Sequence, residues 1–231
     1  MSMKQEINVK CPKCGCDINA TMWQSVNVTL DRAFKQGILD GTFNEVVCTS
    51  CGNHAHVEYP FLYHDMEKQR MVHVLASQGE DDPEKIAELE SLPEQMKSLT
   101  HRDILEDASY EFRIVSNLNG LKEKIIIWDV GLDDGIVEVV KGLTLMAAYG
   151  QIDLENVQDV FFYAGHEAGP EFQIYFKNGE LGRTPFPQET YDMMQKDYAE
   201  IIDRHKTHRP QKIDLEWGFQ VVEEILDSRG E

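Results

Sequence analysis

CPKCG at residues 11–15 and CTSCG at residues 48–52 are two copies of one pattern, CxxCG, with 33 residues between Cys14 and Cys48. In each copy two thiols share a tight turn. A glycine follows the second cysteine, where we expect a positive φ that glycine adopts without steric cost. Four thiolates at about 2.3 Å form a preferred tetrahedral shell for zinc. We therefore predict one structural zinc ion bound by Cys11, Cys14, Cys48 and Cys51.

A redox role for the CPKC element is the competing interpretation. Thioredoxin-type pairs open a helix after a strand in a βαβ unit. Here each pair lies between segments with the alternation of β-strands, and Gly15 follows the first pair at once. His54 and His56 share one face of a strand, a geometry that permits chelation. Because four thiolates already fill a zinc shell, we expect both histidines to be exposed strand residues.

Cys16 is a fifth cysteine beside the first pair. One interpretation is a small apolar side chain packed behind the turn. The other is a resolving cysteine for a metal-release switch. An odd cysteine count with two CxxC pairs favours metal binding over a disulfide scaffold.

The composition is that of an ordinary globular protein, with 231 residues, 42% hydrophobic and 27% charged. The start of the chain, MSMKQEINVK, has no apolar segment, and we expect no secretory signal. The longest apolar run, around residues 125–128, is far shorter than the ~20 residues that cross a bilayer. We expect a cytoplasmic protein without a membrane segment.

The acidity is concentrated outside the cysteine segment. The net charge is -19; residues 1–75 hold seven basic and eight acidic residues, and residues 76–231 hold fifteen and thirty-three. Binding to nucleic acid requires a basic surface that displaces counterions from phosphates. This distribution disfavours nucleic acid and favours another protein, with a basic surface, as the partner.

The hydrophobic pattern predicts an α+β fold in three parts. Residues 1–75 form an N-terminal β-rich zinc ribbon, with a helical turn from Asp31 to Gly37. Residues 76–150 form a helical segment and residues 151–231 a C-terminal strand hairpin plus helices.

The middle segment carries four helix signals. Asp82 caps a helix with Pro83 in its first position. A second helix runs from Thr100 through Phe112 to Leu118 and ends at Asn119-Gly120. The other two are predicted over residues 121–130, with Gly131 as the stop, and from Asp133-Asp134 to about Ala148.

The C-terminal segment begins with strands over residues 160–163 and 172–176, followed by an Asn178-Gly179 turn. Helices follow over residues 188–205 and 214–228. The last helix is expected to bury, among others, Phe219, Ile225 and Leu226.

The stretch from about Val9 to Lys141 resembles the CpXC domain family of bacteria and archaea. The similarity lies in the two knuckles and in several later pieces: Leu39-Asp40-Gly41, Tyr63-His64-Asp65, Glu123-Lys124-Ile125, Gly131-Leu132-Asp133-Asp134, Glu138 and Lys141. The family is named for paired Cys-Pro-x-Cys motifs, and this chain has Thr49 in place of the second proline. The resemblance implies a domain without an assigned activity, so it carries over a role for the four cysteines alone.

Three functional hypotheses follow. The first is a non-catalytic, zinc-stabilised module for protein interaction or scaffolding. The second is an enzyme whose active site lies among the carboxylates and histidines of the helical and C-terminal parts, although Asp133-Asp134 is explained more simply by helix capping. The third is a thiol-based redox or metal sensor that uses Cys16.

Overall fold

The computed structural model describes residues 2–77, 82–95, 110–165 and 169–228. The chain forms two compact units: residues 1–118 with 208–211 make unit 1, and residues 119–207 with 212–231 make unit 2. Strands dominate the N-terminal part, and a strand hairpin with helices forms the C-terminal part. The α+β prediction is confirmed. Boundaries of folding units at residues 75 and 150 stay a prediction.

Unit 1 is built on a five-stranded sheet in the order β1-β2-β5-β6-β7. Its strands are β1 (Met3–Lys10), β2 (Asp17–Asn27), β5 (Phe61–Asp65), β6 (Arg70–Val74) and β7 (Glu111–Val115). The pairs β1/β2 and β5/β6 are antiparallel, whereas β2/β5 and β6/β7 are parallel. Alternate residues of β5, beginning with Phe61 and Tyr63, are buried, as the period of a half-buried strand requires.

A second, two-stranded sheet consists of β3 (Glu45–Val47) and β4 (His54–His56). Helix α1 (Arg32–Asp40) lies between β2 and β3 in the chain. As expected, Asp31 caps it by accepting from the Ala33 N–H. It ends at Gly41, with φ 82°, rather than at Gly37, because the left-handed residue that terminates the helix is Gly41.

Helix α2 (Pro83–Gln95) starts where the sequence predicts, and Asp82 accepts a hydrogen bond from the Glu84 N–H at 3.0 Å. The helix expected from Thr100 to Leu118 is wrong over Glu111–Val115, which is β7; residues 100–109 lie outside the described residues. A strand that is buried on both faces carries apolar residues at successive positions, so the same residues fit a strand as well as a helix. Hydrogen bonding to β6 makes this stretch a strand. Asn119-Gly120 lies in the first turn of the next helix and does not end one.

Unit 2 joins a helical pair to a three-stranded antiparallel sheet. The helices are α3 (Leu118–Asp129) and α4 (Asp134–Ala147), and the strands are β8 (Val157–Tyr163), β9 (Glu171–Phe176) and β10 (Leu181–Pro185). Gly131, the predicted stop of this helix, follows α3 with a positive φ of 78°, and Asp133 caps α4 through the Ile136 N–H as predicted. The Asn178 and Gly179 turn joins β9 to β10.

Three helices complete unit 2: α5 (Gln188–Asp197), α6 (Ala199–Arg204) and α7 (Leu215–Ser228). A single helix was expected over residues 188–205, but it is interrupted at Tyr198, whose φ of -127° is not helical. Helix α7 buries Ile225, whereas Leu226, expected in the core, is 43% exposed because it lies about 100° further around the helix, outside the buried face.

Candidate metal centre and a buried charge cluster

The two CxxCG turns occupy equivalent places in two β-hairpins. The first joins β1 to β2 and the second joins β3 to β4. In the first, the Gly15 N–H donates to the Cys11 carbonyl at 2.9 Å; in the second, the Gly52 N–H donates to the Cys48 carbonyl at 2.8 Å. Gly15 and Gly52 have φ values of 73° and 69°, as the sequence predicts. The repeated pattern therefore produces one repeated local structure.

These hairpins bring four sulfur atoms together. The Sγ atoms of Cys11, Cys14, Cys48 and Cys51 all lie within 4.8 Å of one another. Between the hairpins, Cys11 Sγ lies 3.7 Å from Cys51 Sγ, and Cys14 Sγ lies 3.6 Å from Cys48 Sγ. A tetrahedral zinc ion with bonds of about 2.3 Å requires sulfur separations of about 3.8 Å, whereas a disulfide requires about 2 Å. The group can hold a metal ion, and these two separations between the hairpins match the tetrahedral value.

The backbone of each turn stabilises the negative charge of its first cysteine. The backbone N–H of Cys14 lowers the pKa of the Cys11 thiol to about 6, against the opposing effect of burial. The Cys51 N–H similarly lowers the pKa of Cys48. The thiolate is the form that binds metal, and the turns favour it at Cys11 and Cys48. At Cys14 the backbone N–H of Cys16 also favours the thiolate, but hydrogen bonds with the thiols of Cys51 and Cys11 outweigh it and raise the pKa of Cys14.

The centre sits on a very small apolar core. Cys11, Ile18 and Cys48 are buried together, with Val9 and Val46 packed against them. A core of this size contributes little free energy of folding. Small units with such cores are commonly stabilised by a structural metal ion.

Cys16 lies outside the group of four and is exposed. The expectation that it packs behind the turn is wrong. Its carbonyl accepts from the Cys11 N–H at 2.8 Å, which closes the hairpin while the side chain remains in solvent.

The two histidines behave as expected for exposed strand residues. His54 Nδ1 lies 2.7 Å from Glu45 Oε1, and His56 Nδ1 lies 3.2 Å from Asn44 Oδ1. Both side chains are exposed on β4 and neither belongs to the four-sulfur group.

Unit 2 contains a second group of charged residues, which the sequence did not identify as a site. We call it the buried charge cluster; its members are Glu123 and Lys124 on α3, and Asp134, Glu138 and Lys141 on α4. All five residues are buried. Lys124 Nζ lies 3.1 Å from both Asp134 and Glu138, and Lys141 Nζ lies 2.7 Å from Glu123 and 2.9 Å from Glu138.

Helical spacing explains this convergence. Asp134, Glu138 and Lys141 follow one another at i, i+4 and i+7 and therefore share one face of α4. This spacing is the feature of the sequence from which the cluster could have been predicted. It was not, because charged residues on one face of a helix ordinarily lie in solvent. Of the Asp133-Asp134 pair, Asp133 caps the helix as expected, but Asp134 pairs with Lys124.

The cluster also reaches the sheet. The backbone N–H of Phe162 in β8 donates to Glu123 Oε1. Burial raises the pKa of Glu123, and the charge of Lys141 opposes that rise. Burial in turn disfavours the charge of Lys141, but Glu123 and Glu138 outweigh it and raise the pKa of Lys141. The ionised carboxylates and ammonium groups thus depend on one another.

A cavity of about 500 Å³ adjoins Glu123, between α3 and the strands β8 and β9. Phe161 and Tyr175 line it beside Lys122 and Asp159. A second cavity of about 560 Å³, beside α4, β9 and β10, has no carboxylate in its lining, so the enzyme hypothesis points to the cavity at Glu123. The Glu123 carboxylate at its wall already accepts from Phe162 and pairs with Lys141, so it is held in place by the cluster.

Fold and site define a class: an α+β protein in which two cysteine hairpins assemble a four-thiol site that can hold a metal ion. The family model of the CpXC protein matches residues 9–141, more than half of the chain, and the chain belongs to this family. This confirms the resemblance seen in the sequence. No curated protein and no solved structure matches the chain. Within the described residues, the helices are too short or too polar to cross a membrane.

Proposed function

We propose that Cys11, Cys14, Cys48 and Cys51 bind one structural zinc ion, and that the protein acts as a non-catalytic interaction module for a basic partner protein. The observation that carries the metal assignment is the convergence of four sulfurs from two equivalent hairpins. Soft thiolate ligands in tetrahedral array favour zinc among the common divalent metals.

A structural role follows from the ligand count. Catalytic zinc keeps a coordination position open for water or substrate, whereas four thiolates close the shell. Such a site contributes to folding because the separate hairpins cannot hold their thiolates together without the ion.

The charge of unit 2 supports a basic protein as the partner. Its residues include ten lysines and arginines against twenty-two aspartates and glutamates. A surface with this excess attracts a positively charged partner and accelerates its encounter. The same excess repels phosphates, so it supports a protein rather than a nucleic acid.

The exposed Cys16 supports a second candidate, a thiol-based sensor. Cys16 and the ligand Cys14 are exposed, whereas the ligands Cys11 and Cys48 are buried, so peroxide reaches the thiol of Cys16 beside an accessible ligand. In that case mild peroxide should release the metal from the wild type and not from Cys16→Ser.

An affinity experiment with the full chain tests the interaction role. Immobilised wild-type protein should retain a defined basic protein from a binary mixture with an acidic one of equal size, at about 0.05 M salt and less at 0.5 M. Cys48→Ser, checked for zinc loss, reports whether the metal-bound state is needed. Equal retention of the acidic and basic proteins would contradict the proposed partner class.

A further inference from the structure

Strand β1 lies at one edge of the sheet of unit 1. In the described part of the chain it pairs along its whole length with β2, and no strand is hydrogen-bonded to its other side. It is eight residues long, and Met3, Lys4, Gln5 and Glu6 are all exposed. An edge of this length offers a row of backbone donors and acceptors to another strand.

The sequence of β1 is complementary to itself. When two identical strands pair antiparallel about a twofold axis normal to the sheet, directly opposite residues must lie on the same face. Opposite residues are therefore separated by an even number of positions, and the axis passes between the two copies of one residue. An axis through Gln5 places Lys4 of one copy opposite Glu6 of the other, twice over.

The other face matches in the same register. Met3, which is 57% exposed, comes opposite the half-buried Ile7 of the second copy. Gln5 comes opposite its own equivalent at the axis. Axes through Lys4 or Glu6 place like charges opposite each other, and such pairs are destabilising.

We propose that two copies of this chain associate by antiparallel pairing of β1 with β1 about Gln5, which extends the five-stranded sheet across both copies. Contacts within one copy hold the two charged side chains in position for this pairing. Lys4 Nζ lies 6.0 Å from the Trp23 ring centroid, and Glu6 accepts from Thr21 Oγ1 at 3.0 Å. Lys4 and Glu6 are thus held on one face, in the row where the ion pairs form.

A register through Asn8 also matches opposite charges, since it places Glu6 opposite Lys10. It pairs fewer residues, because the cysteine turn begins immediately after Lys10. Lys10 Nζ also lies 2.5 Å from Asp17 in the same copy, so its charge is already compensated. The Gln5 register covers residues 2–8 without reaching that turn.

This inference goes beyond the proposed function and does not depend on it, because zinc content and dimerisation are measured separately. The test is sedimentation velocity of the full chain from about 1 to 200 µM, a range suited to an interface of modest area. The wild type should show a reversible monomer–dimer equilibrium. Lys4→Glu and Glu6→Lys should each weaken dimerisation by roughly tenfold. In either variant, residues 4 and 6 carry the same charge and lie opposite each other in the dimer.

Charge exchange makes the assignment specific. A 1:1 mixture of Lys4→Glu and Glu6→Lys restores both ion pairs and should form a heterodimer, and the double variant should dimerise like the wild type. Lys10→Glu serves as the matched control on the same strand and should leave dimerisation unchanged. A wild type that stays monomeric throughout, singly exchanged variants that dimerise normally, or loss of the dimer in Lys10→Glu would each overturn the proposal.

Discussion

Lys141 Nζ lies 2.7 Å from Glu123 Oε1, with the side chains 2% and 6% exposed. The same ammonium group lies 2.9 Å from Glu138 Oε2. One lysine therefore compensates two carboxylates in an interior where an unpaired charge is costly. Through Glu123 and Phe162, this contact ties α3 and α4 to the edge of β8.

Lys141→Ala should lower the free energy of unfolding by about 3–5 kcal/mol, since it leaves the buried Glu123 without its cation and Glu138 with Lys124 alone. Lys196→Ala, at an exposed position of α5, should change it by less than about 0.5 kcal/mol. Urea denaturation followed by circular dichroism compares the two. Equal stability of both variants would mean that water reaches the cluster and replaces the lysine.

The crossing of α4 and α7 depends on Gly218. A Cβ built there would lie nearer to the Glu138 carbonyl than side chains ever approach, and that neighbour is backbone. Gly218→Ala should therefore separate the helices and destabilise the protein by about 1–3 kcal/mol, despite alanine's better helix propensity.

Gly142→Ala is the matched control in the same helix pair. Its Cβ would find a Phe219 ring atom at 3.4 Å, a contact that a side chain can relax. Thermal unfolding should show a lower Tm for Gly218→Ala and little change for Gly142→Ala. A lower Tm for Gly142→Ala alone would show that the close contact between α4 and α7 is at Gly142 and not at Gly218.

His73 in β6 introduces a pH dependence. Burial lowers its pKa to about 4 from 6.5, because the cation is disfavoured in the sheet. The folded-state pKa is below the unfolded one, so the unfolded chain binds the proton first. Stability from this residue is complete above pH 6.5 and is lost as the pH falls towards 4, by up to about 3 kcal/mol.

His73→Gln should flatten the stability profile between pH 7.5 and 5, measured by urea denaturation at each pH. Exposed His208 provides the control, and His208→Gln should retain the wild-type slope. Metal release in acid affects all three proteins alike, so the difference between them isolates His73. Parallel profiles for His73→Gln and wild type would show that His73 is not desolvated.

The protein should not bind nucleic acid with micromolar affinity at physiological salt. Two of the cations in the cysteine segment are compensated by acidic neighbours, since Lys10 pairs with Asp17 and Arg32 lies 3.8 Å from Glu67. Trp23, a potential stacking platform, packs edge-on against Phe34 at 4.7 Å. Titration with single- and double-stranded DNA and RNA at two salt concentrations tests this. Salt-sensitive binding that is lost in Lys13→Glu would contradict it.

Local patterns predicted most of what the structure contains near the cysteines. The five residues of each CxxCG motif are enough to specify a turn. Gly15 and Gly52 have the positive φ that this turn requires. Strand β7 could not be predicted in the same way, because its pairing with β6 joins residues about forty positions apart. The buried charge cluster likewise depends on the packing of α3 against α4. Charged residues at helical spacing ordinarily predict a solvated face.

Inductively coupled plasma mass spectrometry of the purified protein is the most direct test of the central claim, a four-thiolate zinc site. We expect about one zinc per chain, retained in Cys16→Ser and lost in Cys48→Ser, because Cys16 lies outside the four-sulfur group. Chelation of the wild type should also release the β3–β4 hairpin, since its few apolar contacts cannot hold it alone. A chain purified without metal in which all five thiols react, or disulfides at the four ligand positions, would contradict the account.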